Sequence, residues 1–234
     1  MKKVLLFVLT FISLNTFSQS FNLGRYNDFL KSHVDKEGVV NYNKVLKNID
    51  ELNVICKGFS KISPNNSWTD SEKKTYWINL YNVNILRLIA ENYPIKSINY
   101  IREPFKIKFI SYNGEKISLD EIEHTILRKF NDPRIHFALY ATTVSSPKLR
   151  NNAYKSDTIE SDLGIATSDF LNDSSKNKIG KIYTKLSQVF DWYKADFHSH
   201  ETLVEFINTH SYRKLKIDTK IGYIEYDWNL VYKK

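Results

Sequence analysis

Apolar and polar residues follow a helical period along much of the chain. From Asn43 to Ile62 the apolar residues recur every three or four positions, which predicts one amphipathic helix with a stripe of Leu46, Ile49, Leu52, Ile55, Phe59 and Ile62. Shorter patterns of the same kind predict helices over residues 21–34, 157–171 and 187–193. A further helix, which we expect to begin at a Ser199 cap, bears Leu203, Phe206 and Ile207.

The helix that begins after Thr69 has a different pattern. Thr69 and Glu72 fit a capping box, and Pro94 ends the helical pattern. Apolar residues lie on all sides in between, which indicates a buried helix. Asn79 and Asn82 interrupt it and lie within about 60° of each other. Either both face one polar pocket, or they tie the helix to a neighbouring loop.

Five segments have the features of β-strands. A strand is expected over 39–42, and an Asn-Gly turn predicts a hairpin over 106–117. The near-continuous apolar run 135–142 predicts a buried strand, 182–186 reads as extended, and 215–232 predicts a terminal pair of strands. The sequence therefore predicts an α+β fold, with a mostly antiparallel sheet packed against several helices.

A second capping box opens the helix expected from Ser118 to Phe130. Its apolar stripe has Glu123 in the middle and His124 on the flank. A carboxylate at a core-facing position is costly unless it is paired or hydrogen-bonded, so Glu123 should have a buried partner. It either orients an acid–base histidine or forms a structural ion pair.

His136 is the histidine that could be that partner, because it lies within the apolar run 134–139. A lone histidine among apolar neighbours is usually a hydrogen-bonded core residue. Paired with Glu123, it would instead form the orienting half of a nucleophilic triad.

The amino terminus has the layout of a cleavable secretory signal over residues 1–18. A basic start is followed by an apolar stretch too short to span a bilayer of ~30 Å, and small residues precede a cut before Gln19. The alternative is an uncleaved anchor. We expect residues 19–234 to form a single domain that is exported to the periplasm or beyond, with no stable membrane anchor after cleavage. Cys56 is the only cysteine, which excludes an intrachain disulfide.

The composition of the chain restricts the classes of binding partner but identifies no particular partner. Hydrophobic residues make up 42% of the chain and aromatic residues 14%, enough for a packed core. The net charge of +8, or +6 once Lys2 and Lys3 leave with the signal, favours an acidic envelope polymer, and a peptide is the other partner class considered. No nucleic-acid motif, phosphate loop or dinucleotide fingerprint occurs, and His198 and His200 lack a third ligand. No nucleic acid, cofactor or metal is therefore expected.

Three motifs resemble successive signatures of the bacterial domain-of-unknown-function 547 family. They are Tyr-Trp-Ile-Asn-Leu-Tyr-Asn at 76–82, Ser-Leu-Asp-Glu-Ile-Glu-His with Ile-Leu-Arg at 118–128, and Asp-Pro-Arg-Ile-His-Phe-Ala-Leu at 132–139. Shorter matches occur at Ser145–Pro147, Phe170–Asn172, Phe190–Tyr193 and Asp196–Phe197. The resemblance runs from near Val39 to Trp228.

The resemblance implies an exported or envelope-associated protein whose biochemical role is not settled. It also implies a distant similarity to papain-like and transglutaminase-like folds, with a cysteine as nucleophile and a histidine as base. The family pattern has one cysteine after the His-Phe-Ala-Leu run and another in Ser-Cys-Pro. Here those positions hold Ala141 and Ser146, so a thiol mechanism is lost.

Three hypotheses fit these patterns. The first is a degenerate cysteine-hydrolase-like member that binds a ligand or peptide without turnover and keeps Glu123 and His136. Its expected binding residues are Asn79, Asn82, His124 and Ser145. The second is a hydrolase with Ser146 as nucleophile, His136 as base and Glu123 as orienter. The third is an envelope interaction module with no relic of an active site.

Overall fold

The computed structural model describes residues 23–180, 182–199 and 202–232. The predicted signal over residues 1–18 lies outside these residues. The α-helices in chain order are α1 (Gly24–His33), α2 (Tyr42–Lys47), α3 (Ile49–Ser60), α4 (Asp70–Asn92), α5 (Ile159–Asn172), α6 (Val189–Trp192), α7 (Lys194–Phe197) and α8 (Leu203–His210). Within the described part of the chain, no helix is both long and apolar enough to cross a membrane.

Helix α4 is the centre of the fold, as its all-round apolar pattern predicts. The capping box is present, because the Thr69 hydroxyl accepts a hydrogen bond from the Glu72 backbone and Glu72 accepts from the Thr69 backbone. Sixteen residues of α4 are buried. Helices α2, α3 and α5 all pack on it, so α4 is the scaffold on which the remaining elements are placed.

The strands form two separate two-stranded sheets. Strands β1 (Ile110–Tyr112) and β2 (Glu115–Ile117) make the predicted antiparallel hairpin, and both turn residues between them have positive φ angles. Strands β3 (Tyr183–Ser187) and β4 (Lys220–Ile224) pair in parallel. The α+β class is confirmed, but the described residues do not form one mostly antiparallel sheet. The expected terminal strand pair over 215–232 is wrong, since β4 pairs with β3 instead.

Residues 135–140 and Thr142 are buried as predicted, yet the segment 135–142 is not a strand. A 3-10 helix spans Pro133–Phe137 and begins where the Asp132 side chain accepts from the Arg134 backbone. Proline at the first helical position favours such a start. Further along, Asn82 of α4 binds the carbonyl of Ala138 and the amide of Tyr140. Those backbone groups are thereby withheld from a neighbouring strand.

Two helix predictions also need correction. The single helix expected over 43–62 is divided at Asn48, which leaves helical geometry while its side chain donates to the Lys44 carbonyl. The last helix is not capped by Ser199, whose hydroxyl donates to the Asp196 carbonyl. Thr202 caps α8 in a complete capping box with Glu205.

Two hydrophobic cores meet at the Pro133–Phe137 turn. Ile135 belongs to the larger core around α4, whereas Phe137 belongs to a smaller core formed with α5 to α8. His136 lies between these two residues and is itself buried. The fold therefore places one ionisable side chain at the boundary between the two apolar clusters.

Candidate functional site

His136 is held between two carboxylates. Its Nε2 donates to Asp196 Oδ2 at 2.8 Å, and its Nδ1 lies 3.6 Å from Glu123 Oε1. The second distance exceeds a hydrogen bond but is an ion-pair contact. Only 1% of the His136 side chain and 12% of the Glu123 side chain are exposed. The buried partner predicted for Glu123 is therefore His136.

Arg128 completes the network from the far side of Asp196. Its Nε and Nη2 donate to the two carboxylate oxygens of Asp196, both at 2.7 Å. Two parallel bonds of this kind fix orientation as well as adding energy. The ring of Tyr193 stacks on His136 with 3.8 Å between centroids, and the Arg128 guanidinium lies over the same ring at 5.6 Å.

Local backbone geometry explains how Glu123 reaches the site. The predicted capping box is present, since Ser118 and Glu121 exchange backbone-to-side-chain hydrogen bonds. The chain then forms a π-helical turn over Glu121–Ile126 rather than an α-helix. Ile122 and Leu127, five residues apart, are both fully buried. That spacing suits the wider turn, and π turns of this kind are frequent at functional sites.

A cavity of about 180 Å³ opens beside this network. Glu123, His136, Asp120 and His124 supply its polar lining. The remaining lining residues are aromatic or aliphatic: Tyr81, Phe105, Leu139, Ala141, Pro147, Val189, Trp192, Tyr193, Tyr226 and Trp228. A few converging polar groups in a largely apolar hollow are typical of a ligand site.

Electrostatics keep the network ionised. Burial alone would raise the pKa of Glu123, but the His136 imidazolium and the Tyr193 hydroxyl hold it below its usual value. Burial likewise opposes ionisation of Asp196, yet His136 and Arg128 lower its pKa well below the usual range. For His136 burial favours the neutral ring, and the two carboxylates outweigh it and raise the pKa. The two carboxylates therefore favour the protonated form of His136.

Neither His136 ring nitrogen is aimed at a nucleophile. Ser146 is buried, and its Oγ lies within hydrogen-bond distance of the carbonyls of Thr143 and Pro147. Ser146 is not part of the cavity lining, whereas Ala141 is. The structure thus brings together Glu123, His136 and Ala141 but not Ser146. The serine-based hypothesis is left without the hydrogen bond that it requires.

The four expected binding residues divide into two groups. His124 lines the cavity, where its Nδ1 is 3.1 Å from Arg128 Nη1. Asn79, Asn82 and Ser145 do not line it. The Asn79 side chain binds both the amide and the carbonyl of Tyr154, Asn82 binds the 138–140 segment, and the Ser145 hydroxyl accepts from the Asp227 amide. For the asparagines, tying α4 to neighbouring loops is the correct alternative.

Asp196 is the functional residue that the sequence patterns did not single out. It is 60 residues from His136 along the chain, and no periodicity links the two positions. The one sequence feature that could have indicated Asp196 is the Asp-Phe motif at Asp196–Phe197, which is among the motifs of the family resemblance. Arg128, Tyr193, Trp192 and Trp228 were also missed as site residues, since arginines and aromatics are common on surfaces and in cores alike.

The described residues contain no group of three or more His, Cys, Asp or Glu side chains placed to hold a metal ion.

The model of the family described as "Protein of unknown function, DUF547" matches residues 65–171. That range includes Glu123, His136 and Ala141 but ends before Asp196 and Trp228. Comparison with curated proteins and with solved structures finds no match, so the similarity to papain-like folds is not confirmed.

Proposed function

Over residues 65–171 the chain belongs to the protein family of unknown function DUF547, and on that premise we propose that its domain binds a small ligand or a peptide side chain without turnover. The cavity beside His136 is the binding site. The observation that carries the proposal is the composition of that cavity. It combines buried charges and aromatic rings with Ala141 at the position where the family resemblance leads one to expect a cysteine.

Several contacts argue against catalysis by the groups around the cavity. Ala141 has no nucleophilic atom, and the Ser146 hydroxyl lies outside the lining. His136 faces carboxylates through both ring nitrogens, so it has no ring nitrogen free to take a proton from a nucleophile. Cys56 is buried, and burial raises the pKa of its thiol to about 12. A thiolate nucleophile is therefore disfavoured at the one cysteine of the chain.

The cavity can be tested by filling it. In a thermal-shift screen of small metabolites and short peptides, we expect some compounds to raise the Tm of the wild type. The same compounds should fail with Ala141→Phe, because the added ring occupies the space beside Glu123 and His136. Ala166→Phe is the matched control, since Ala166 lines a different, smaller cavity near Phe170, and it should retain the response.

Turnover is measured on the same compounds by mass spectrometry. The proposal expects unchanged compounds after prolonged incubation. Product formation that disappears in Ser146→Ala would overturn it in favour of a serine hydrolase. A screen in which no compound stabilises the wild type would favour an interaction module without a ligand cavity.

We also propose that this binding takes place outside the cytoplasm. The support is the order of basic, apolar and small residues over residues 1–18. Expression in a bacterial host followed by N-terminal sequencing of the exported protein should return Gln19 as the first residue. Recovery of an intact Met1 from the membrane fraction would instead indicate an uncleaved anchor.

A further inference from the structure

One wall of the cavity is made of three aromatic rings in mutual contact. The ring centroids of Trp192 and Tyr226 are 4.9 Å apart, those of Tyr226 and Trp228 4.5 Å, and those of Trp192 and Trp228 5.7 Å. Trp192 is 46% exposed although it lies in this cluster. Large aromatic side chains left partly open at a concave site are available to cover a ligand.

Two carboxylates, Asp120 and Glu123, line the same cavity. Glu123 is already paired with His136, whereas the only partner of Asp120 among the described side chains is His124 Nε2 at 3.7 Å, longer than a hydrogen bond. The Asp120 side chain is 38% exposed. Asp120 can therefore accept a hydrogen bond or an ion pair from a group that enters the cavity.

The charges around the cavity leave a negative balance. Three carboxylates, Asp120, Glu123 and Asp196, lie near Arg128 and His136, so the balance is negative even when the His136 ring is protonated. The chain as a whole carries +8, so the local balance at the cavity is opposite in sign to the net charge of the chain. Such a local field attracts cations in preference to anions.

A fourth ring of the cavity lining, that of Tyr193, already contacts basic side chains. Tyr193 stacks on His136 and also carries the Arg128 guanidinium. Trp192, Tyr226 and Trp228 add three further rings to the cavity lining, and tryptophan is the strongest of the aromatic side chains in cation–π contacts.

We propose that the cavity recognises an organic ammonium group, held between the Trp192–Tyr226–Trp228 wall and the Asp120 carboxylate. This rests on the proposed ligand-binding function and names the chemical class of its ligand. The group is either a free alkylammonium or quaternary ammonium compound, or the end of a lysine side chain. A cavity of about 150 Å³ accommodates benzene, so the space here suits an ammonium head of similar size.

The test uses a matched pair of probes that differ in charge. Choline carries a quaternary ammonium, and 3,3-dimethylbutan-1-ol has the same shape with a neutral carbon in place of nitrogen. Titration calorimetry with the full chain should show binding of choline and at least tenfold weaker binding of the alcohol. Affinity for choline should also fall as ionic strength rises, because Asp120 is partly exposed and its attraction is screened.

Two further probes distinguish the source of the ammonium group. Butylamine represents a free amine, and Nα-acetyl-lysine amide represents a peptide side chain. Tighter binding of the lysine derivative indicates a peptide ligand, and tighter binding of butylamine or choline indicates a free amine. Either order supports ammonium recognition.

Variants locate the contacts. Trp192→Leu should weaken choline binding roughly two- to thirtyfold, whereas Trp192→Phe keeps a ring and should lose less. Asp120→Asn should weaken it up to about fivefold. Asp50→Asn is the matched control, because Asp50 likewise lies in the first turn of a helix, α3, but is exposed and outside the cavity lining. It should leave binding unchanged.

The outcomes separate this inference from the proposed function. If the alcohol or an anion such as acetate binds in the cavity more tightly than choline, the ammonium assignment is wrong while a ligand cavity remains. If no compound of any charge class binds or stabilises the protein, both fail. If neither Trp192→Leu nor Asp120→Asn changes the affinity for choline, the ammonium group binds elsewhere and the proposed site is wrong.

Discussion

Replacement of His136 by alanine is expected to lower the free energy of unfolding by about 3–5 kcal/mol. The imidazolium is the cation between Glu123 and Asp196, and its side chain is almost completely buried. Without it, Glu123 becomes a buried carboxylate without an ion-pair partner. Asp196 is less affected, because Arg128 still holds both of its oxygens. Urea denaturation measures the loss.

The pH dependence gives this prediction a second readout. Folding lowers the pKa values of Glu123 and Asp196, so both carboxylates stabilise the fold at pH values above their unfolded-state pKa values of about 4. That stability is lost as the pH falls through the pKa values of the folded state. The raised pKa of His136 stabilises the fold below about 6.5 and is lost as pH rises through its folded value. The advantage of the wild type over His136→Ala should therefore be largest between about pH 4.3 and 6.5 and shrink above it.

A double-mutant cycle separates the ion pair from the loss of packing on Tyr193. Glu123→Gln removes the carboxylate charge, so Glu123→Gln combined with His136→Ala should cost less than the two single changes added together. His198→Ala is the matched control, since that histidine is exposed and outside the cavity lining, and it should cost no more than about 0.5 kcal/mol. A loss for His136→Ala below about 1 kcal/mol at every pH would contradict an ion-pair role.

Replacement of Asn82 by alanine is the second large effect, with an expected loss of about 2–4 kcal/mol in unfolding free energy. The Asn82 amide donates to the Ala138 carbonyl at 2.9 Å and accepts from the Tyr140 amide at 3.0 Å. Both backbone groups are buried with it. Alanine would leave one donor and one acceptor without a partner, and each costs about 1–3 kcal/mol.

Asn84 provides a matched control on the same helix. It is equally buried, but its amide only donates to the Leu80 carbonyl one turn earlier, and its Oδ1 has no hydrogen-bond partner. Asn84→Ala should therefore cost about 1 kcal/mol or less. Chemical denaturation of the two variants in parallel gives the comparison. Equal losses of unfolding free energy in the two variants would mean that the hydrogen bonds from Asn82 to the backbone of residues 138–140 add no stability of their own.

The Asn82 contacts also connect the fold to the site. The segment they hold is followed directly by Ala141, which lines the cavity. The buried polar residue that interrupts the apolar pattern of α4 thus sets the position of the cavity wall. Asn82 therefore supports the cavity wall from outside the cavity lining.

Local features of the fold were predictable from the sequence because neighbouring residues determine them. Thr69 with Glu72, and Ser118 with Glu121, satisfy backbone donors only a few positions away, so both helix starts follow from spacing. The same holds for the Asn113–Gly114 hairpin turn, where both residues adopt positive φ. Glu123 on an apolar stripe required a buried partner, and that requirement holds whatever the fold.

Only the tertiary structure decided which partners meet. Asp196 reaches His136 from α7, because α7 packs in the smaller core that also contains Phe137. The apolar run around His136 forms a 3-10 helix rather than a strand, and Asn82 of α4 binds two backbone groups directly after that helix. Ala141 faces the cavity while Ser146 turns to backbone carbonyls. The contacts of His136 with Asp196 and of Asn82 with Ala138 join residues 60 and 56 positions apart in the chain, so no local periodicity encodes them.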